Sequence, residues 1–350
     1  MDEVEKEIRR SFVVQGDWCE KLASPFTALV CRTFAEQLDK STSFGKSVLE
    51  WPGKPDALND ALMLRIAGVF HALAKRGTYP NLTSLYPPNP LPSKEQLWSV
   101  LSEVIAEEER ELAQWLQWAP QTNEVARSMA LNAGLMTLGL ETQLPLSLLE
   151  VGSSAGLNLF PDRFHYQYDG KSYGNLDSKV VLQPAWQGRL PPSFNYEVIG
   201  RRGVDLNPLD VSNPQDQERL RSYVWPDQAD RQARVSAAIQ IAAADPPLLD
   251  KGDAAAWVEN NVQPKGGQVS VLMHSIAFQY FPPESQDRIF DHMAKAGKSA
   301  SNEAPLAWLR YEIDPAYDNR ASLKLTFWPT GEERVLLVGD PHCRSLEWIR

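Results

Sequence analysis

The sequence is short of cysteine, of long apolar runs and of positive charge, and each shortage excludes a class of protein. Its three cysteines, Cys19, Cys31 and Cys343, form no CxxC pair and no cluster with the spacing of a metal site. We therefore expect free thiols, a reducing compartment and no bound metal. No run of about 18 apolar residues occurs, and the opening segment MDEVEKEIRRSF lacks the apolar core of a signal peptide. The composition thus predicts a cytoplasmic protein without a membrane span.

Basic residues are outnumbered, with 35 Lys and Arg against 45 Asp and Glu, so the formal net charge is −10. An electrostatic field of this sign repels nucleic acid and anionic lipid. Hydrophobic residues make up 43% of the 350 residues, which is enough for an ordinary globular core. We therefore expect a small-molecule substrate, no nucleic acid and no membrane as partners, and the sequence leaves the oligomeric state open.

Helix signals run through residues 1–140 and indicate an all-helical N-terminal region. Residues 57–76 have apolar positions at helical spacing, and Gly77 is placed to end that helix. Ser93 begins a capping-box pattern ahead of a long amphipathic helix. The segment 79–93 between them is too rich in proline for regular structure, which predicts an ordered connector.

The apolar periodicity changes after residue 140. Short apolar runs then alternate with helical or loop segments, which predicts a mostly parallel sheet covered by helices on both faces. The last two runs are joined by the turn TGEE and predict a terminal antiparallel hairpin. We therefore predict an α/β domain over residues 141–350 with an insertion at about 163–200. The five strand candidates before the hairpin lie in LSLLEV, YEVIGRRGVDL, PPLLDKGDA, VSVLMHSIAFQYF and APLAWLRYEI.

The segment LSLLEVGSSAGLNL joins the first of these runs to a predicted helix. It holds Glu150, Gly152, Ser154 and Gly156 in the spacing E-x-G-x-S-x-G. Small residues let the backbone approach a ligand, and a helix N-terminus favours an anionic group such as a carboxylate or phosphate. The pattern therefore indicates a ligand site, although a tight strand-to-helix turn without a ligand would have the same spacing.

The order of these motifs resembles that of class I S-adenosylmethionine-dependent methyltransferases over about residues 120–350. LSLLEVGSSAGLNL resembles the first motif of that family, and GVDLNP, KGDAAAW and MHSIAFQY resemble its second, third and fourth strands. The closing hairpin resembles the family's ending, in which the final strand inserts antiparallel. The resemblance implies a Rossmann-like fold and S-adenosylmethionine as cofactor. The chain also resembles an uncharacterised bacterial family of unknown function that pairs NEVARS, EVGSSAGLNL and HSIAFQY.

The methyltransferase resemblance implies a cofactor site built from the glycine-containing segment and the ends of the next two strands. Asp205 would accept the ribose hydroxyls, because a carboxylate can accept two neighbouring O–H bonds. Asp253 with Ala254 would face the adenine amino group. Arg127 would pair with the cofactor carboxylate, or would form an exposed helix pair with Glu124. The methionine and ribose part would be lined by Glu150, Gly152, Ser153, Ser154, Ala155 and Gly156.

Two features depart from the usual methyltransferase pattern. Ser154 replaces the middle glycine, and Asp205 follows Gly156 by 49 residues, where the acid usually follows by about 20. An insertion over residues 171–200 explains this gap. Otherwise the second strand is RFHYQYD and the ribose acid is Asp169.

Residues near the exit of the predicted fourth strand are the candidates for catalysis. His274 would act as general base, because imidazole titrates near neutral pH, and a purely structural histidine is equally open. Ser275 and Tyr280 would contact the substrate. Trp225, in the segment VWPDQADR, is a further candidate contact, and Asp227 beside it is expected to cap its own helix. The predicted reaction is methyl transfer to an oxygen or nitrogen atom of a small molecule.

Two other classes of function remain open. The letters GSSAG also fit G-x-S-x-G, which would make Ser154 the nucleophile of a serine hydrolase. An α/β-hydrolase needs several strands before that serine, whereas residues 1–140 are predicted to be helical. The alternative is a methyltransferase-like protein that binds a ligand without catalysis, because fold does not determine function. Partners for Ser154 in a triad would be Asp253 or Asp340 and His274 or His342.

Overall fold

A computed structural model describes residues 2–349, and the chain forms two compact units. The helical unit consists of the residues up to 122 together with 214–233. The sheet unit consists of 123–213 together with the residues from 234 onward. The boundary expected near residue 140 lies inside the sheet unit, because the helix that precedes the glycine-containing segment packs against strands of the sheet.

Twelve α-helices occur within residues 2–349. They are α1 (Glu3–Lys21), α2 (Pro25–Gln37), α3 (Ser43–Leu49), α4 (Leu62–Arg76), α5 (Pro80–Leu85), α6 (Lys94–Glu107), α7 (Glu109–Leu116), α8 (Ser128–Thr142), α9 (Pro214–Ser222), α10 (Ala229–Ala244), α11 (Ala254–Asn261) and α12 (Pro283–Gly297). In the part of the chain that the structure describes, no helix has both the length and the apolar character needed to cross a membrane.

The predicted N-terminal helical region is confirmed, and its signals have the expected geometry. Gly77 ends α4 in the left-handed conformation with φ 72°, and Ser93 and Gln96 make both hydrogen bonds of the capping box of α6. α4 begins at Leu62 and not at residue 57, because the Asp56 carboxylate accepts hydrogen bonds from the residues just after it and holds them in a turn. The expectation that residues 79–93 contain no regular structure is wrong, because Pro80–Leu85 form the short helix α5, whose proline occupies the first turn, where it is tolerated.

Twelve strands form two sheets in the sheet unit. They are β1 (Leu146–Val151), β2 (His165–Tyr168), β3 (Lys171–Gly174), β4 (Val181–Leu182), β5 (Ala185–Gln187), β6 (Val198–Asp205), β7 (Leu248–Lys251), β8 (Val269–Ser275), β9 (Leu306–Asp314), β10 (Arg320–Trp328), β11 (Glu332–Gly339) and β12 (Ser345–Trp348). The large sheet has the order β5-β12-β11-β10-β9-β8-β1-β6-β7, and the small sheet has the order β3-β2-β4.

Five strands of the large sheet, β7, β6, β1, β8 and β9, run parallel to one another. The expectation of a mixed α/β chain with a large, mostly parallel sheet is therefore confirmed. β6 lies beside β1, whereas β2 belongs to the small sheet. The alternative that placed the second strand in RFHYQYD is thus wrong, and the small sheet lies in the first half of the predicted insertion.

Two local expectations are corrected. The glycine-containing segment does not start an α-helix, because it is followed by two short 3₁₀ turns, Leu157–Leu159 and Pro161–Arg163. Pro161 has no N–H to donate to the carbonyl of Leu157, so an α-helix cannot propagate through this point. No strand of the terminal hairpin inserts between β9 and the strand that follows it, because β10 lies directly beside β9 and β11 lies beyond β10.

Candidate functional site

The carboxyl ends of the five parallel strands meet at one edge of the large sheet. From β1 the chain proceeds to β6 and β7 on one side and then to β8 and β9 on the other, so the direction of the crossovers reverses between β1 and β8. In open α/β sheets the crevice outside such a reversal is where ligands bind. The residues predicted for the glycine motif, the ribose acid and the base all lie at this edge.

Residues 152–156, called the glycine segment below, follow β1 directly and turn sharply. Gly152, Ser154 and Gly156 have φ values of +65°, +53° and +68°, which is the left-handed region that favours glycine. A Cβ at Gly152 would lie 2.7 Å from the Cβ of Ala277, which follows β8. Close packing between the segments that follow β1 and β8, where the crossovers reverse, therefore requires glycine at position 152 even without a ligand.

Asp205, the last residue of β6, supports the glycine segment through its carboxylate. Its Oδ2 accepts a hydrogen bond of 2.9 Å from the backbone N–H of Ser154, and its Oδ1 accepts one of 2.9 Å from the N–H of Asn207. Asp169, the other candidate for the ribose acid, is an exposed residue of the turn between β2 and β3.

Glu150 lies on β1 between Gly203 of β6 and Met273 of β8, and it is only 2% exposed. Its Oε2 has no hydrogen-bond partner among residues 2–349. Burial raises the pKa of this carboxyl well above its usual range, and the nearby charge of Asp205 adds to the rise while Arg127 opposes it. A buried acid of this kind favours its neutral form and can donate a hydrogen bond.

Arg127 reaches the sheet edge from a 3₁₀ turn just before α8. Its Nη1 donates a hydrogen bond of 3.1 Å to the carbonyl of Ser275, and its Nε donates one of 3.1 Å to the carbonyl of Pro341. Glu124 is 1% exposed and accepts a hydrogen bond from the N–H of Ala126. The alternative of an exposed Glu124–Arg127 helix pair is therefore wrong, because this turn is packed into the sheet unit.

His274, near the end of β8, is paired with an acid that the sequence analysis did not single out. Its Nδ1 lies 2.6 Å from Oε1 of Glu312 on β9, and the same oxygen accepts hydrogen bonds from the N–H groups of Ala277 and Phe278. The carboxylate orients the ring with the proton on Nδ1. An acid at the end of the run beside the histidine strand was the signal that could have identified Glu312.

The His274 ring is fully buried and has a nitrogen without a partner. Its exposure is 0%, and it stacks on Phe278 at 4.8 Å between ring centroids with Trp308 also in contact. Nε2 has no hydrogen-bond partner within the described chain, and neither has Oε2 of Glu312. A substrate could reach Nε2 only if a covering side chain moved.

These observations define a set of buried polar side chains, called the edge cluster below. In native proteins most buried polar groups are hydrogen-bonded, so several unpartnered ones along the carboxyl edge of one sheet require an explanation such as water or a ligand. The edge cluster consists of Glu150, Ser153, Ser154, His274 and Glu312, each with one side-chain atom that has no partner among residues 2–349.

The remaining predicted residues have varied surroundings. Asp253 caps α11 by accepting a hydrogen bond of 2.9 Å from the N–H of Ala256, and Ala254, the first residue of that helix, is buried. Ser275 ends β8 at the edge and is 7% exposed, whereas Tyr280 is 60% exposed. Their predicted contacts with cofactor and substrate stay predictions.

Trp225 packs against the core of the helical unit. Beside it, the expectation that Asp227 caps its own helix is wrong. The Asp227 carboxylate accepts hydrogen bonds from the N–H groups of Phe26 and Thr27 and from the Thr27 hydroxyl, so it caps α2. The proline that begins α2 leaves these N–H groups as the free donors of its first turn.

Cys19, Cys31 and Cys343 are free, as expected, and all three are buried. Residues 2–349 contain no group of three or more His, Cys, Asp or Glu side chains placed to hold a metal ion.

Comparison with known proteins places the chain in one family and gives no other likeness. No curated protein and no solved structure matches the sequence. A family model described as "Uncharacterized protein conserved in bacteria (DUF2332)" matches residues 9–348. Since this match covers nearly the whole chain, the protein belongs to that bacterial family of uncharacterised proteins.

Proposed function

We propose that the sheet unit has a Rossmann-like fold of the methyltransferase type and that the protein transfers a methyl group from S-adenosylmethionine to an oxygen or nitrogen atom of a small molecule. One observation carries the proposal. The glycine segment, the carboxylate of Asp205 and the edge cluster all lie at the reversal point of a parallel sheet in the order β7-β6-β1-β8-β9. The three free cysteines support a cytoplasmic setting.

The polar groups at the edge fit the cofactor that this fold implies. The hydroxyls of Ser153 and Ser154 and the carboxyl of Glu150 each have an unpartnered atom, and such atoms suit the hydroxyl and amino groups of a nucleoside linked to an amino acid. Asp205 would hold the ribose hydroxyls, and Arg127 would hold the carboxylate. Glu150, Gly152, Ala155 and Gly156 would line the rest of the methionine and ribose part, with Asp253 and Ala254 at the adenine.

The bound cofactor would supply an electrophilic methyl group, and the chain's own residues would position and deprotonate the acceptor. Holding two reactants in attack geometry is a large part of such catalysis. His274, oriented by Glu312, would take a proton through Nε2 after its aromatic cover moves. Ser275 and Tyr280 would contact the substrate.

The same site supports the serine-hydrolase alternative less well. The Ser154 hydroxyl has no hydrogen-bond partner among residues 2–349, so no serine–histidine pair is formed. The glycine segment also leads into a 3₁₀ turn, whereas a nucleophile elbow leads into an α-helix. A protein that binds the cofactor without turnover is the remaining alternative, and the experiment below separates it from an enzyme.

The proposal is tested by calorimetric titration with S-adenosylmethionine and S-adenosylhomocysteine. Asp205→Asn should weaken binding by about 10- to 100-fold, because a hydrogen bond to a charged group contributes about 1.5–3 kcal/mol. Asp169→Asn is the matched control, since it changes the other candidate acid, and should leave the affinity unchanged. Circular dichroism of both variants should match the parent protein.

Absence of binding to either ligand would contradict the proposal. Binding that is lost in Asp169→Asn and kept in Asp205→Asn would move the ribose acid to the small sheet. If the ligands bind and no oxygen or nitrogen acceptor is methylated in a broad screen, the non-catalytic alternative replaces the enzyme.

A further inference from the structure

The outer face of α1 exposes several large apolar side chains close together. Val14 is 46% exposed and Trp18 is 56% exposed, and Leu58, in the turn before α4, is 77% exposed. All three line one groove of about 340 Å³ between α1 and the segment 55–58. Monomeric proteins rarely expose contiguous apolar surface, and a patch of this kind indicates an interaction site.

The groove and an exposed apolar side chain lie on one surface. Leu58 is the most exposed of the three apolar side chains that line the groove. At about 30 Å³ for each water-sized group, the groove holds roughly ten heavy atoms, more than the four carbons of a leucine side chain. A two-fold interface can use an exposed apolar side chain and a recess on the same face, since each copy offers both.

The charges beside the groove are complementary as well. Glu7 and Arg10, one turn apart on α1, both line it and are exposed. Neither has an ion-pair partner within the part of the chain that the structure describes, although Glu5 and Arg9 on the same helix pair with each other. In a two-fold arrangement, Glu7 of one copy can face Arg10 of the other, and the second pair follows by symmetry.

From this we infer that the α1 groove is the dimer interface of the protein, with a second copy of this chain as the occupant. Leu58 of each copy enters the groove of the other beside Trp18, and Glu7 and Arg10 form two reciprocal ion pairs at the rim. This inference is independent of the proposed methyl transfer, because it concerns the helical unit alone.

Sedimentation of the full chain over a range of concentrations tests the interface. Leu58→Asp should raise the dimer dissociation constant on the order of 30-fold, because it buries a charge in an apolar groove. Leu91→Asp is the matched control, since Leu91 is 56% exposed and does not line the groove, and it should leave the constant unchanged.

A charge exchange makes the test specific for a second copy of the same chain. Glu7→Arg and Arg10→Glu should each raise the dissociation constant about tenfold through like-charge contacts. The double variant carrying both changes restores both pairs and should recover the parent constant. A monomer at all concentrations, a dimer insensitive to Leu58→Asp, or a double variant weaker than either single change would overturn the inference.

Discussion

His71 of the helical unit and His274 of the sheet unit are both buried, and both stack on an aromatic ring, Tyr86 and Phe278 respectively. The Nδ1 of His71 lies 3.0 Å from the carbonyl of Ser222, and neither ring nitrogen of His71 is both fully buried and without a partner among residues 2–349. His274 pairs with a carboxylate, and its buried Nε2 has no partner in the same residues. A buried histidine held by a backbone carbonyl has a structural role, whereas one with an unpartnered buried nitrogen near the carboxyl edge of a parallel sheet is a candidate for chemistry.

The same contrast extends to the acids of the two units. Asp227 of the helical unit is engaged by three donors at the start of α2. Glu150 of the sheet unit has a buried oxygen with no partner among residues 2–349. Because leaving a buried polar atom unpaired costs about 1–3 kcal/mol, the sheet edge is where the fold gives up stability, as binding sites commonly do.

The largest pH-dependent change in the free energy of unfolding should come from His71, the structural histidine. Burial lowers the pKa of His71 to about 4 from its ordinary value of 6.5. Between these values the unfolded chain binds a proton that the folded chain does not, so folding stability falls by up to about 3 kcal/mol as the pH drops through that window. His71→Gln should flatten this part of the pH dependence in urea unfolding.

Tyr86→Phe keeps a ring against His71 and serves as the control, and it should retain the slope of the parent protein. Equal slopes for His71→Gln and the parent protein between pH 6.5 and pH 4 would show that the buried imidazole is not the group responsible.

Glu150 at the sheet edge should cause a smaller change in folding stability, with the opposite dependence on pH. The pKa of Glu150 is raised in the folded state. The contribution of this carboxyl to folding stability is therefore fully present below the ordinary pKa of a glutamic acid, and it is lost as the pH rises through the raised pKa. Glu150→Gln imitates the neutral acid and should be more stable than the parent protein by about 1–2 kcal/mol at pH 8.

At pH 4 the two proteins should unfold at the same urea concentration, which makes the comparison internally controlled. Glu303→Gln, a change at an exposed glutamate, should have no such pH-dependent gain. A Glu150→Gln variant less stable than the parent protein at pH 8 would mean that the ionised carboxylate is stabilised by its surroundings.

Much of the fold could be predicted because its signals are local. Helix caps such as Ser93 and the change to short apolar runs after residue 140 depend on neighbouring residues alone. The same reasoning predicted β6 and its terminal Asp205. This reasoning could not show that Pro161 prevents an α-helix after the glycine segment, since the expected pattern places an α-helix there.

What the sequence could not supply were contacts between distant segments. Glu312 lies 38 positions from His274, and only the pairing of β8 with β9 brings the two side chains together. Asp227 caps a helix that begins about 200 residues earlier in the chain. Roles of this kind depend on tertiary structure, and no local pattern of residues encodes them.

Hydrogen exchange of backbone amides with and without S-adenosylhomocysteine tests most directly whether the sheet edge is the binding site. If the sheet edge is the binding site, the ligand slows exchange in residues 152–157 and 205–207, while the amides of Phe26 and Thr27, which Asp227 already caps, stay unchanged. Saturating ligand that leaves exchange in residues 152–157 unaltered would contradict the central claim.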